Sequence, residues 1–224
     1  MVLSYIPPPP LLLHDNTNDD QVLQHTNNNR YVVTVALYLG NHFDAMDLEL
    51  LKRHGITHVL SVVKDDTIHS VNLLRCGGDH HNTTPEMYYY ASAGIQWFGI
   101  NTEDTIDYPI LHPINVWQPC LDFITKAQEN APPSVDMKLL VHCRMGVNRS
   151  AAILVALYIH LHCRNHSEAI PLNVLVEQIR QIRERDGSPY GGEDFLTNQS
   201  FREQLRKWCI ERDYPVATGS LDWL

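Results

Sequence analysis

Two continuous apolar runs, Leu139-Leu140-Val141 and Ala151-Ala152-Ile153-Leu154-Val155-Ala156-Leu157-Tyr158-Ile159, are separated by nine residues, His142-Cys143-Arg144-Met145-Gly146-Val147-Asn148-Arg149-Ser150. The first run is short and continuous, as expected of a strand buried on both faces of a sheet. The second consists of good helix formers without Gly or Pro and predicts a largely buried helix starting near Arg149. A core strand, a tight loop and a buried helix imply an α/β fold, a central mainly parallel sheet flanked by helices.

In that geometry the loop N–H groups and the helix N-terminus converge on one concavity. Unpaired N–H groups and the positive end of the helix dipole favour a dianion there, and favour a thiolate over a thiol. Cys143 therefore reads as a nucleophile inside a phosphate cradle. Gly146 permits positive φ and a close backbone approach. The planar fork of Arg149 holds two phosphoryl oxygens at once, and the Ser150 hydroxyl donates to the sulfur. Arg144, Met145, Gly146, Val147 and Asn148 supply the backbone that binds substrate together with Arg149. A Cys followed six positions later by an Arg is by itself a weak pattern, because an inert buried Cys in an ordinary strand-helix turn can show it. His142 before, Gly146 within and Ser150 after make it specific.

These residues resemble the His-Cys-x-x-Gly-x-x-Arg-Ser/Thr signature of the cysteine-dependent protein phosphatases, and within them the compact dual-specificity group. The likeness extends to Tyr38-Leu39-Gly40-Asn41, to Ala45-x-Asp47-Leu48-x-Leu50-Leu51 and to Gly55-Ile56-Thr57-His58-Val59-Leu60-Ser61-Val62. It closes with Phe195-Leu196-Thr197-Asn198-Gln199-Ser200-Phe201-x-x-Gln204-Leu205. The resemblance implies a phosphatase-like fold over residues 31–213, between a flexible Pro/Asn-rich tail at 1–30 and a C-terminal tail at 214–224. It also implies hydrolysis of phosphotyrosine and of phosphoserine or phosphothreonine through a phosphocysteine intermediate, with no metal and no cofactor.

Such a reaction needs an acid to protonate the leaving oxygen. The strand-like stretch Ile95-Gln96-Trp97-Phe98-Gly99-Ile100 is followed by the carboxylate-rich Asn101-Thr102-Glu103-Asp104-Thr105-Ile106-Asp107-Tyr108-Pro109. Family spacing points to Asp104, with Asp107 as its main rival and Glu103 behind. Cys143, Arg149, Asp104 and Ser150 form the expected catalytic set.

Asn148 departs from the family pattern, where Ser is frequent. RNA 5′-triphosphatases of the same superfamily resemble this chain in carrying Asn there, but they continue Arg-Thr-Gly, whereas here the continuation is Arg149-Ser150-Ala151. A polyanionic substrate favours a basic surface. The chain carries a net charge of −9 and no Lys/Arg run. A phosphorylated protein is therefore the expected substrate and nucleic acid is disfavoured. A third reading is a catalytically weak phosphate-binding pseudophosphatase acting as an interaction module. The presence of Cys143, Arg149 and Asp104 together favours the enzyme, since a binder needs only the cradle.

At 224 residues and 44% hydrophobic content the chain can bury one substantial core. Five scattered cysteines (76, 120, 143, 163 and 209) without a C-x-x-C pair suit a reducing compartment, cytoplasm or nucleus. No apolar run reaches the length of a membrane span, and the apolar N-terminus is broken by Pro7-Pro8-Pro9-Pro10. That proline run reads as a linker, with a polyproline II ligand for a partner as the functional alternative.

The expected element order is strand 31–39, helix 44–54, strand 57–63, strand 95–100, helix 112–130, strand 138–142, then helices 150–163, 168–184 and 199–212. The long connection 64–94 should hold structure of its own, with Thr84-Pro85 starting a short helix through Tyr88-Tyr89-Tyr90. Those tyrosines read as core packing rather than a phosphotyrosine entrance. Cys76, Asp79, His80 and His81 lack a second ligand pair at a familiar spacing and read as a polar loop rather than a zinc site. His160, His162, Cys163 and His166 read as a helix C-terminus, where cations suit the dipole.

Overall fold

The computed structural model describes residues 2–7, 35–63, 85–130, 136–163, 171–190 and 192–214. Strands β1 (Ser4–Ile6), β2 (Val35–Gly40), β3 (His58–Val63), β4 (Gln96–Asn101) and β5 (Met137–His142) form one sheet in the order β1-β2-β5-β3-β4. The pairs β2–β5, β3–β5 and β3–β4 are parallel, and β1 adds an antiparallel edge. Gly40 pairs with His142, Ser61 with His142, and Val63 with Asn101, so these strands end together and the loops after them share one edge.

Side chains alternate across the sheet with the two-residue period of a strand. Leu37, Leu39, Leu60, Val62, Leu139 and Val141 face one core, whereas Tyr38, Val59 and Leu140 face the other. The first core packs on α4 (Gln118–Asn130), α5 (Arg149–Tyr158), α6 (Leu172–Arg185) and α7 (Gln199–Glu211). The second packs on α1 (His42–Ala45), α2 (Leu48–His54) and α3 (Pro85–Ala91). Every residue of α5 is buried, which is why this segment lacks a polar face. The expected mainly parallel sheet flanked by helices is thus present.

Several boundaries differ from the sequence reading. The helix expected over 44–54 is two helices. Asn41 accepts from Phe43 N and Asp44 N while the Asp44 carboxylate accepts from Asn41 N, a reciprocal cap that starts α1 early. Asp47 accepts from Leu50 N and starts α2 anew, and Gly55 at φ 67° ends it. The helix expected over 112–130 opens with a π-helical turn at Pro113–Trp117, and α5 widens into another at Ile159–Cys163. Helix α6 begins at Leu172, because Pro171 lacks an N–H and suits a helix entry. Residues 31–34 and 164–170 lie outside the described residues.

The first residues are not a tail. Ser4–Ile6 pairs with β2 in the register Ser4↔Leu39, Tyr5↔Tyr38 and Ile6↔Leu37. Leu3 and Ile6 are buried, and Val2 N donates to Asp44 Oδ1 at 2.9 Å. The reason is physical: the free edge of β2 offers backbone partners, and two apolar side chains cover its faces. At the other end Tyr214 stacks on Trp208 at 4.9 Å and so belongs to the domain. Pro8–Pro10 and residues 215–224 lie outside the described residues.

Helix α3 appears where Thr84-Pro85 indicated it. Tyr90 is buried against Trp97, and its hydroxyl donates to Ala45 O at 3.0 Å. Tyr89 donates to Met46 O, so these two tyrosines are packing residues. Cys76, Asp79, His80, His81 and His166 lie outside the described residues. His160 Nδ1 lies 2.6 Å from the Tyr214 hydroxyl. No helix among the described residues is long and apolar enough to cross a membrane.

Candidate active site

Strand β5 delivers Cys143 to the strand-end edge, buried to 1% exposure. Its Sγ accepts from Gly146 N at 3.3 Å and from Ser150 Oγ at 3.2 Å. Loop and helix donors thus converge on the sulfur, and Asn148 stands at the start of α5. The loop is closed by backbone contacts on two sides. His42 N donates to Arg144 O at 3.2 Å, and Leu196 N donates to Val147 O at 2.9 Å. Gly146 has φ 72°, and a Cβ there would stand 2.5 Å from Gly40 O. Only glycine fits both the backbone conformation and that approach.

Behind the sulfur runs a buried polar chain. His142 Nδ1 lies 3.4 Å from Cys143 O, and its Nε2 lies 2.6 Å from Ser61 Oγ. Trp97 Nε1 donates to the same Ser61 oxygen at 2.7 Å. Because the Cys143 carbonyl can only accept, the proton of neutral His142 lies on Nδ1 facing it, and Nε2 accepts the Ser61 hydroxyl proton while that same oxygen accepts from the indole. Burial, the largest cause, pushes His142 down to about 3 and keeps it neutral, as this tautomer requires.

Arg149 is nearly buried, and its Nη1 donates to Thr102 O at 3.3 Å. Its Nε has no partner among the described residues, so the guanidinium retains donors for an oxyanion at the cradle. A second cation, Arg183 of α6, is fully buried and donates to Leu39 O at 3.3 Å and to Ser188 Oγ at 2.7 Å. Burial pushes Arg183 below the usual guanidinium range, opposed by the charges of Asp44 and then Cys143. Burial pushes Asp44 up, opposed by its hydrogen bonds from Asn41 and Val2.

The carboxylate-rich loop 102–107, expected to hold the acid and hence the acid loop, follows β4 at the same edge. Asp104 reaches the cradle: Asn148 Nδ2 donates to its Oδ2 at 3.3 Å, and Asn198 Nδ2 donates to its Oδ1 at 3.1 Å. Asp107 is exposed on the following turn. Asp104, Ile106, Asn148, Asn198, Arg202 and Glu203 line part of a cavity of about 1000 Å³ beside the cradle.

The structure brings Cys143, Ser150, Arg149 and Asp104 together with the loop 144–148. The sequence reading missed Ser61, Trp97, Thr102 and Asn198, which contact the candidate site residues or His142 beside them, and the buried cation Arg183 of α6. Asn198 carried a usable signal, an Asn before a helix, and it caps α7 by accepting from Phe201 N. The others act through contacts distant in sequence that no local pattern marks.

Residues 37–210 match the model of the dual specificity phosphatase catalytic domain. The chain belongs to the dual specificity phosphatase family. It is 32% identical over 181 residues to the dual specificity protein phosphatase 26 of Homo sapiens, covering 80% of this chain and 66% of that one. It is 25% identical over 182 residues to the dual specificity protein phosphatase 19 of Mus musculus, covering 81% of this chain and 63% of that one. The chain thus spans a little under two thirds of the length of these curated relatives. Among solved structures, that of DUSP15 aligns with a TM-score of 0.49 at 25% identity, covering 77% of this chain and 81% of that one.

Proposed function

We propose that this chain is a cysteine-dependent protein phosphatase that hydrolyses phosphotyrosine and phosphoserine or phosphothreonine. The observation that carries the reading is the convergence of Gly146 N and Ser150 Oγ on Cys143 Sγ, with the buried Arg149 guanidinium in the same loop. Cys143 Sγ attacks phosphorus, and the P–O bond to the leaving group breaks in line. Arg149 and the amides of residues 144–149 hold the three equatorial oxygens, where transition-state charge is spread. Asp104 gives its proton to the leaving oxygen. The ionised Asp104 then takes a proton from water as that water attacks the phosphocysteine, releasing phosphate and returning the sulfur as thiolate. The Ser150 hydroxyl stabilises the departing sulfur.

In this reading the catalytic unit is residues 31–213, with Ser4–Ile6 added to its sheet and Tyr214 packed on Trp208. The protein reverses phosphorylation of signalling proteins in the cytoplasm or nucleus, and the proline run serves as a linker, with a polyproline ligand for a partner as its alternative. The net charge of −9 supports a protein substrate over RNA.

Purified protein should hydrolyse an aryl phosphate and both phosphotyrosine and phosphothreonine peptides, with activity abolished in Cys143→Ser. Equal rates in the two proteins would leave only phosphate binding. Faster release of phosphate from 5′-triphosphorylated RNA than from any peptide would favour the RNA reading.

A further inference from the structure

Asn148, the residue that departs from the family pattern, makes contacts that Ser is too short to make. Its Nδ2 donates to Asp104 Oδ2 at 3.3 Å, while its Oδ1 accepts from Thr197 Oγ1 at 3.3 Å and from Asn198 N at 3.0 Å. Asn198 completes the ring, its Nδ2 donating to Asp104 Oδ1 at 3.1 Å and to Thr105 O at 3.4 Å. One carboxamide therefore ties three segments together: the cradle, the acid loop and the start of α7.

We propose that Asn148 is the positioning residue for Asp104, holding the acid loop against the cradle before substrate arrives. The proposal rests on the reading of Asp104 as the general acid. The acid loop 102–107 is irregular and mostly exposed, so neither a helix nor core packing fixes the direction of the carboxyl group. Each Asp104 oxygen instead receives one amide proton, which fixes the plane of the group and leaves further lone-pair directions on both oxygens. The donors are neutral, and this matters for the cycle. A Lys or Arg in their place would bring a full charge and a long flexible side chain to this position, whereas the two amides orient the carboxyl group without adding charge. Both halves of the reaction can use one loop position.

A serine hydroxyl has a single proton on a side chain one bond shorter. It cannot donate to Asp104 and also accept from Asn198 N across the same gap. In Asn148→Ser the loop should lose its tie and the acid its orientation, while Cys143, Arg149 and the loop amides stay in place.

The test is turnover of a series of phosphate esters, from activated aryl to alkyl leaving groups, by wild type, Asn148→Ser, Asp104→Asn and the double variant. General acid catalysis contributes roughly a hundredfold or more, and a misaligned acid should forfeit about tenfold of it on alkyl esters. Activated aryl esters, whose leaving groups need little protonation, should change by no more than about twofold. In the Asp104→Asn background the Asn148 change should have no additional effect. The rate of Cys143 alkylation by iodoacetate should match wild type, showing an intact cradle. Asn198→Ser keeps the α7 cap but withdraws the other amide, and should give the same leaving-group signature if Asn148→Ser folds poorly. Equal loss on all esters, or losses that add to those of Asp104→Asn, would overturn the proposal. If Asp104→Asn itself shows no leaving-group dependence, the acid assignment falls and the proposal with it. If Asp104→Asn shows that dependence and neither Asn148→Ser nor Asn198→Ser does, the proposal alone is overturned.

Discussion

Ser61 of β3 and His142 of β5 occupy paired positions in the sheet, and their Oγ and Nε2 stand 2.6 Å apart. Ser61→Ala would strand both the Trp97 indole proton and His142 Nε2 in a buried site, at a cost of about 1–3 kcal/mol. It would also release the imidazole from its tautomer, so kcat should fall several-fold with little change in KM. Chemical denaturation and steady-state kinetics test this; unchanged stability together with unchanged kcat would show that the chain does not orient the cradle.

The same histidine should make the protein acid-labile. Its folded value is lowered from 6.5 to about 3, so the unfolded chain binds the proton more readily than the folded one. The stabilising contribution is fully present above pH 6.5 and is lost as pH falls toward 3, by up to about 1.4 kcal/mol per unit. Burial lowers His58 as well, so it adds in the same direction. Unfolding free energy measured from pH 7 to 4 should therefore decline less steeply in His142→Asn than in wild type, and parallel slopes would count against the assignment.

Gly146→Ala should be far more damaging than Gly55→Ala, although both glycines have positive φ. The added methyl at Gly146 meets the Gly40 backbone at 2.5 Å, whereas at Gly55 its nearest neighbour is the flexible tip of Lys138 at 3.2 Å. We expect a loss of about 1 kcal/mol at Gly55 and of more than about 2 kcal/mol at Gly146. Turnover should also collapse in Gly146→Ala, because relieving that clash shifts the loop and carries the residue 146 N–H away from Cys143 Sγ. Thermal unfolding and aryl phosphate hydrolysis separate the two.

Arg149→Lys keeps the charge but removes the planar fork. We expect turnover to fall by about a hundredfold or more. Stabilisation by vanadate or phosphate in a thermal shift should shrink in parallel. A variant that retains both would show that the loop amides alone suffice.

Leu3→Ala tests the edge strand. Leu3 is buried against Gly40 and the second core, so truncation should cost about 2–4 kcal/mol. Tyr5→Ala, at 42% exposure, should cost less. Equal small effects in urea unfolding would mean that the strand contributes little.

The strand-loop-helix around Cys143 was legible because Leu139–Val141 of β5 and Ala151–Tyr158 of α5 are buried and form continuous apolar runs. The alternation of strands and helices was legible for the same reason, and the resemblance supplied the acid loop. The break between α1 and α2 was not, because Asp44 and Asp47 read equally well as polar positions within one helix. Ser4–Ile6 was missed because three residues show no periodicity, and their place depends on an edge formed by residues 35–40. Nothing local in the sequence sets Arg183 apart from its neighbouring charges; the tertiary positions of Leu39 O and Ser188 make it a core residue. The tie between Asn148 and Asp104 joins residues 44 positions apart, and no local pattern encodes it.

The central place of β5 also sets an order of events during synthesis. Its partners, Val35 opposite Met137 and His58 opposite Leu139, lie far upstream, and Ser61 and His142 are 81 residues apart. Parallel pairings of such separation form slowly. At ribosomal speed β2 and β3 wait on the order of ten seconds for the strand that belongs between them. Throughout that interval the nascent chain has two apolar strands without their shared neighbour, and the nucleophile becomes sheltered only when the last gap in the sheet closes.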